Sequence, residues 1–258
     1  MAVISDEESA STDIQAVSRA GQIMSLFGPH AMELTAVEVA DLTGLNRTTA
    51  YRYCSSLVTA GLLDRGQRRG TFVPGGRVLQ LGIVALGQRQ VVALAAPHMA
   101  QLTAATHTTC VLSLWGASGP VVTRVQEDDR RTMVVTVRVG SQLDLTAAQT
   151  KVFLALHPDQ LAMERLLKYV PQPARAQIDA AIDEVRRSGI CIVDEEDGLV
   201  GAAVPVFDEY GICATLALLG TNRMTDFSPG SPQRLALQEA AVALTTEVGG
   251  TSPFVPDA

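Results

Sequence analysis

From Asn46 to Tyr53 the chain reads Asn-Arg-Thr-Thr-Ala-Tyr-Arg-Tyr, a run of guanidinium, hydroxyl and phenol groups. Such groups hydrogen-bond base edges and phosphates, and a guanidinium can grip a guanine edge or a phosphate through two parallel bonds. At helical spacing Arg47, Thr48, Tyr51 and Arg52 share one side, while Ala50, Cys54, Leu57 and Val58 share the other. Thr49 sits near the helix start, where it can donate to a phosphate that the helix dipole also attracts. Between Thr43 and Arg89 there are seven arginines and one acid, Asp64: a local charge of +6 in a chain of net charge −7. A concentrated basic patch binds phosphates by releasing counterions, and a distant acidic remainder is screened from it. The expected DNA-facing set is Thr35, Arg47, Thr48, Thr49, Tyr51 and Arg52, with Arg65, Arg68 and Arg69 gripping phosphates or entering the minor groove. A rival reading stays open, in which the same motif only dimerises a sensory or scaffolding protein without specific DNA binding.

Other chemistries find little support. His30, His98, His107 and His157 stand apart with no metal spacing. No G-x-S-x-G elbow or phosphate-binding glycine loop is present. The run Asp194-Glu195-Glu196 could hold Mg²⁺ or do acid–base work, but such a run is more often a solvated strand end. No enzyme activity, metal or cofactor is expected.

The elements around the basic run form a helix-turn-helix. A helix is predicted from an N-cap at Asp13 to the Gly28-Pro29 stop. Thr35-Ala36-Val37-Glu38 is a capping-box pattern opening a helix over 36–42. Thr43-Gly44-Leu45 is a tight turn, and Asn46 caps a second helix over 47–60 that Gly61 ends. Strands at 62–65 and 71–74 flank the turn 66–70 and make a wing. A linker helix is predicted from Gly76 to about Val92, and another from Pro97 to Ala105. Strands follow at 110–115, 120–126 and 132–139, then helices at 147–156, 158–169 and 173–187, then strands at 190–193, 202–207 and 213–219, and a closing helix at 231–248. Strands, then helices, then strands imply an α+β fold with an antiparallel sheet and flanking helices.

A chain of 258 residues accommodates two domains. The expected division is a disordered acidic tail (1–12), a winged helix-turn-helix (13–75), a linker helix (76–92) and an effector domain (93–250). Four scattered cysteines read as small buried hydrophobes in a reducing compartment. With no signal-peptide pattern and no apolar run of ~20 residues, the chain reads as cytoplasmic, without a membrane partner.

Three stretches resemble the IclR family of bacterial regulators: residues 34–65, 137–156 and 185–220. The distinctive parts are Arg138-Val139-Gly140-Ser141, Lys151, and Asp194-Glu195-Glu196 ahead of Pro205. The resemblance implies a winged DNA-binding domain, a linker helix that helps form dimers, and a GAF-like effector-binding domain. It also implies homodimers or homotetramers on palindromic double-stranded operators, with affinity set by a small-molecule effector. By the same resemblance the effector would meet Thr146, Ala147, Gln149, Asp194, Val200, Gly201, Thr215, Ala217 and Leu219.

The departures from the family pattern are informative. A histidine common shortly before Lys151 is missing, and the stretch Leu145–Thr150 is a residue shorter. The loop after the acidic run is about two residues short. A usual Arg-Cys pair stands as Val200-Gly201, and two frequent serines stand as Ala217 and Leu219. A buried carboxylate without donors is costly, so these losses imply an effector larger or less polar than a two- or three-carbon acid. The small residues at 201 and 217 would also leave room. The alternative is a pocket that binds nothing.

Overall fold

The computed structural model describes residues 14–130, 135–194 and 198–255; the predicted tail and Asp13 lie outside them. The chain divides into two compact units, residues 1–88 and 89–258.

In the first unit α1 (Gln15–Met24), α2 (Ala36–Thr43) and α3 (Arg47–Thr59) enclose a small core. The capping box forms: Thr35 N donates to Glu38 Oε2 at 2.6 Å, and Glu38 N to Thr35 Oγ1 at 3.2 Å. The turn into α3 needs a left-handed residue, supplied by Gly44 at φ 71°. Asn46 Oδ1 then accepts from Thr49 N at 2.8 Å and starts α3. Ala50, Cys54 and Leu57 recur at helical spacing and pack on Ile23, Val39, Leu63 and Phe72. β2 (Leu63–Arg65) and β3 (Thr71–Pro74) form the expected antiparallel wing, and β1 (Leu34–Thr35) joins on the far side of β3. Helix α4 (Gly76–Gly87) starts where Gly76 N donates to Asp64 Oδ2 at 3.1 Å. None of its residues is buried.

In the second unit a five-stranded antiparallel sheet carries helices on both faces. It is built from β4 (Thr109–Trp115), β5 (Pro120–Gln126), β6 (Cys191–Asp194), β7 (Leu199–Asp208) and β8 (Gly211–Thr221). The strand order is β5-β4-β8-β7-β6. Alternation sorts its side chains. Leu112, Ala202, Val204, Leu216 and Leu218 pack beneath α5 (Gln90–Thr106) and α9 (Pro232–Glu247). Ala203 and Ala217 face α6 (Ala148–Leu156), α7 (Gln160–Leu167) and α8 (Ala174–Ser188). Gly189 ends α8 in the left-handed conformation, and a Cβ there would run into the Phe254 ring.

Two expectations need correction. The helix predicted to reach Val92 ends at Gly87, and the one predicted to begin at Pro97 begins at Gln90 and passes through that proline. Proline costs a helix interior about 3 kcal/mol. Here Val91, Ala95, Met99 and Leu102 form one buried stripe on either side of it, and burial outweighs the local penalty. The strand predicted at 132–139 is not present over the part described: residues 135–139 are irregular, and 131–134 lie outside the described residues. The edge of β5 is met instead by the next segment, with Val122 N donating to Ser141 O at 2.9 Å and Leu143 N to Pro120 O at 2.8 Å. All four cysteines are free; Cys54, Cys110 and Cys191 are buried, and burial pushes the Cys191 thiol up to about 11. Among the described residues no single helix is long and apolar enough to cross a membrane.

His107 closes α5 with φ 55°, a left-handed position rarely taken by a residue other than glycine. Asp128 Oδ2 lies 2.8 Å from its Nδ1, while Oδ1 accepts from Arg130 N and Nε, each at 3.2 Å. The bond with His107, then those from Arg130, hold the Asp128 carboxyl down at about 2. Because the folded-state value is depressed, this stabilisation is present above about pH 4 and lost as the pH falls towards 2. Denaturant titrations from pH 5 to pH 2 are expected to show a shallower acid decline for Asp128→Asn than for the parent; parallel curves would exclude this role.

Candidate functional site

The outer side of α3 presents Arg47, Thr48, Tyr51 and Arg52 to solvent, with Thr49 half-buried beside the cap. The buried stripe on the opposite side fixes this orientation. Arg69, at the wing tip, is also exposed, and no ion pair forms at Arg47, Arg52 or Arg69 among the described residues. Thr35 is partly committed elsewhere, its hydroxyl lying 2.8 Å from Glu38 Oε2.

Two of the wing arginines are engaged within the unit. The Arg65 guanidinium stacks 4.7 Å from the Phe72 ring centroid and 5.7 Å from that of Tyr51. The Tyr51 and Phe72 rings meet edge to face at 6.5 Å, so this stack ties the exposed side of α3 to the wing. The neighbouring Arg65 guanidinium, then Ser55, lowers the pKa of the Tyr51 phenol. Arg68 Nε donates to Glu33 Oε2 at 3.0 Å and its backbone N to Oε1 at 3.1 Å. The Thr71 hydroxyl donates to the same carboxylate. Gly66 leaves the space, since a Cβ there would collide with Glu33 Oε1. The bonds from Thr71 and Arg68 hold Glu33 below the usual carboxylate range, so it stays charged against Arg68.

The second unit contains a cavity of about 310 Å³ between α6, the segment before it, and the ends of β6–β8. Of the expected effector residues, Thr146, Ala147, Gln149, Val200, Gly201, Ala217 and Leu219 line it. Thr215 lies behind it, fully buried, and accepts from Gln149 Nε2 at 3.1 Å through its hydroxyl. Asp194 is exposed at the end of β6 and is not among the lining residues; Glu195 and Glu196 lie outside the described residues. The space expected beside Gly201 is partly taken by Leu219, its cross-strand partner, whose Cδ2 would stand 3.2 Å from an added Cβ.

The sequence reading missed the wall formed by Val135, Thr136, Val137, Gln142, Leu143 and Asp144. A signal was available at Asp144-Leu145-Thr146, an Asx-type helix entry. Asp144 Oδ1 accepts from Thr146 N at 2.8 Å, Thr146 Oγ1 at 2.5 Å and Ala147 N at 3.3 Å. The Thr146 hydroxyl, then the two amides, lower the Asp144 pKa, so it remains an anion at the mouth of the cavity.

The sequence model of the IclR helix-turn-helix domain matches residues 16–66, and that of the bacterial transcriptional regulator IclR C-terminal domain matches residues 83–245. The chain belongs to the IclR family. The HTH-type transcriptional regulator XynR of Escherichia coli is 25% identical, with 92% of this chain and 98% of that protein covered. The p-hydroxybenzoate hydroxylase transcriptional activator of Acinetobacter baylyi is 28% identical, with 90% and 89% covered. Among solved structures, an IclR homolog from Microbacterium hydrocarbonoxydans complexed with 4-hydroxybenzoate shares the fold, at TM-score 0.70 and 22% identity over 90% of this chain and 98% of that one. As an IclR-family member the chain is a DNA-binding transcriptional regulator modulated by an effector.

In this IclR-family protein Glu33 neutralises one of the wing charges. Glu33→Gln is expected to steepen the salt dependence of nonspecific DNA binding by about one ion in log–log slope. Fluorescence anisotropy across a salt series measures this, and an unchanged slope would show that Arg68 lies away from the duplex.

Proposed function

We propose that this regulator binds a palindromic operator as a homodimer, or a pair of dimers, and reads base edges with α3. The exposed row Arg47, Thr48, Tyr51 and Arg52 carries this reading, backed by the exposed Arg69 on the wing. The remaining expected contacts take supporting parts. Thr49 faces a phosphate near the α3 start, Thr35 caps the preceding helix, and Arg65 and Arg68 shape the wing as well as adding charge. A two-fold pair sets its reading helices about one DNA turn apart, ~34 Å.

The dimer reading rests on α4. Leu79, Leu81, Ile83, Val84 and Leu86 are each 46–66% exposed, an apolar surface that a second copy of the same helix would cover. The effector site is the cavity beside α6. Its size fits a one- or two-ring molecule: an apolar cavity of about 150 Å³ already holds benzene. A relative of the same fold is complexed with 4-hydroxybenzoate, which agrees with that scale. An effector that binds one arrangement of the dimer better shifts its population and hence operator affinity. The site of action is the cytoplasm, where the DNA is. The rival reading, a motif that only dimerises, lacks a reason for bare arginines on α3.

Arg47→Ala and Arg52→Ala are each expected to weaken binding to the protein's own promoter fragment by about 1–3 kcal/mol, with a smaller loss on scrambled DNA. Anisotropy titrations on the two fragments separate the cases; equal losses would reject base reading. Leu79→Asp with Ile83→Asp is expected to halve the mass seen in sedimentation and to weaken operator binding at least tenfold. A dimer surviving both substitutions would rule out α4 as the interface.

A further inference from the structure

The walls of the α6 cavity have a chemical sign. None of the described residues lining it is lysine, arginine or histidine. Most of the donors on its polar side chains are already engaged. Gln149 Nε2 is shared among Thr215 Oγ1, Thr215 O and Val111 O at 3.1–3.4 Å. Gln142 Nε2 donates to Ser118 O at 3.2 Å, and the Thr136 hydroxyl to Glu127 Oε1 at 2.5 Å. The Thr146 hydroxyl donates to Asp144. Lone pairs remain: the Gln149 carbonyl, the Thr146 oxygen and the second oxygen of Asp144. The Asp144 carboxylate takes the Thr146 and Ala147 amides just ahead of α6, so its charge already stands where a second anion would be drawn to the helix start. The floor is apolar, with Gly201, Ala217 and Leu219 on the face of the sheet that meets α6.

An incoming carboxylate would find no cation among the described lining residues, with Lys151 of α6 already acting on Asp144, and it would meet a fixed like charge at the rim. Its lost hydration would be replaced only in part. A hydroxyl on an apolar skeleton would find the reverse: a charged acceptor at the mouth and aliphatic walls behind. We infer that the effector of this regulator is an uncharged, largely apolar molecule bearing a hydroxyl donor, such as an alkylphenol, and that Asp144 selects it by accepting that hydroxyl and repelling carboxylates. The inference rests on the cavity being the effector site.

The test uses full-length protein and one skeleton with two head groups, 4-propylphenol and 4-propylbenzoate, in calorimetric titrations at pH 7. The phenol is neutral there, since phenols titrate near 10, and the benzoate is an anion. The phenol is expected to bind at least tenfold more tightly. Asp144→Asn is expected to shrink that preference tenfold or more, by weakening the phenol and admitting the benzoate, with thermal unfolding checking that the variant is folded. Leu219→Ser is the second arm: it adds a donor to the cavity without touching the Asp144 turn ahead of α6, and is expected to raise benzoate affinity. Equal or tighter binding of the benzoate to the parent protein overturns the inference. So does failure of both probes at millimolar concentration, and so does an undiminished preference in folded Asp144→Asn. Operator binding without ligand, followed by gel shift on the same preparation, reports separately on the regulator reading.

Discussion

The pairing of Leu199–Asp208 with Gly211–Thr221 organises the larger unit. Along this ladder successive side chains point to opposite faces, so one register decides two layers at once. Ala202, Val204, Leu216 and Leu218 fill the layer beneath α5 and α9, while Ala203 and Ala217 meet the α6–α8 layer. The same register sets Gly201 opposite Leu219 and brings Val200, Ala217 and Leu219 to one end of the sheet, where the cavity opens. A slip of one residue would exchange floor and core. The antiparallel neighbours β4 and β6 hold the ladder on both sides and leave it no such freedom.

In the DNA-binding unit the equivalent constraint has the period of a helix. Ala50, Cys54 and Leu57 anchor α3, and whatever lies opposite them must face outward. Shape is then maintained by side chains that a residue list would class as contacts. Arg65 spans the gap between the Tyr51 and Phe72 rings, and Arg68 is folded back onto Glu33. A basic residue on a wing therefore has two roles to divide between, charge for the duplex and geometry for the hairpin. Arg69 makes no ion pair or ring contact among the described residues.

The effector domain repeats this division. Gln149 and Thr215 belong together, but their mutual bond turns them into a stiff acceptor-bearing wall. Asp144 ends the entry to α6 and by the same bonds becomes a charged rim. Polar residues that build the scaffold thus also set the sign of the site, and the chemistry of the ligand follows from which of their atoms are left over.

Sequence alone determined what depends on near neighbours. The capping box at Thr35, the Asn46 cap, the Gly44 and Gly189 turns, the wing hairpin and the outward side of α3 all follow from contacts spanning a few residues, and all could be read from spacing. The resemblance of three stretches to a known family implied the fold class and seven of the described residues that line the cavity. Tertiary structure alone decided the passage of α5 through Pro97, which depends on a buried stripe against a sheet far along the chain. It also decided that Val135 and Val137, which read as strand residues, become cavity wall, and that Asp144 joins them while Asp194 stands outside. Local signals carry no information about which donors will be consumed by partners tens of residues away. Those pairings, such as Arg68 with Glu33 and Gln149 with Thr215, exist only once the register of the whole fold is set.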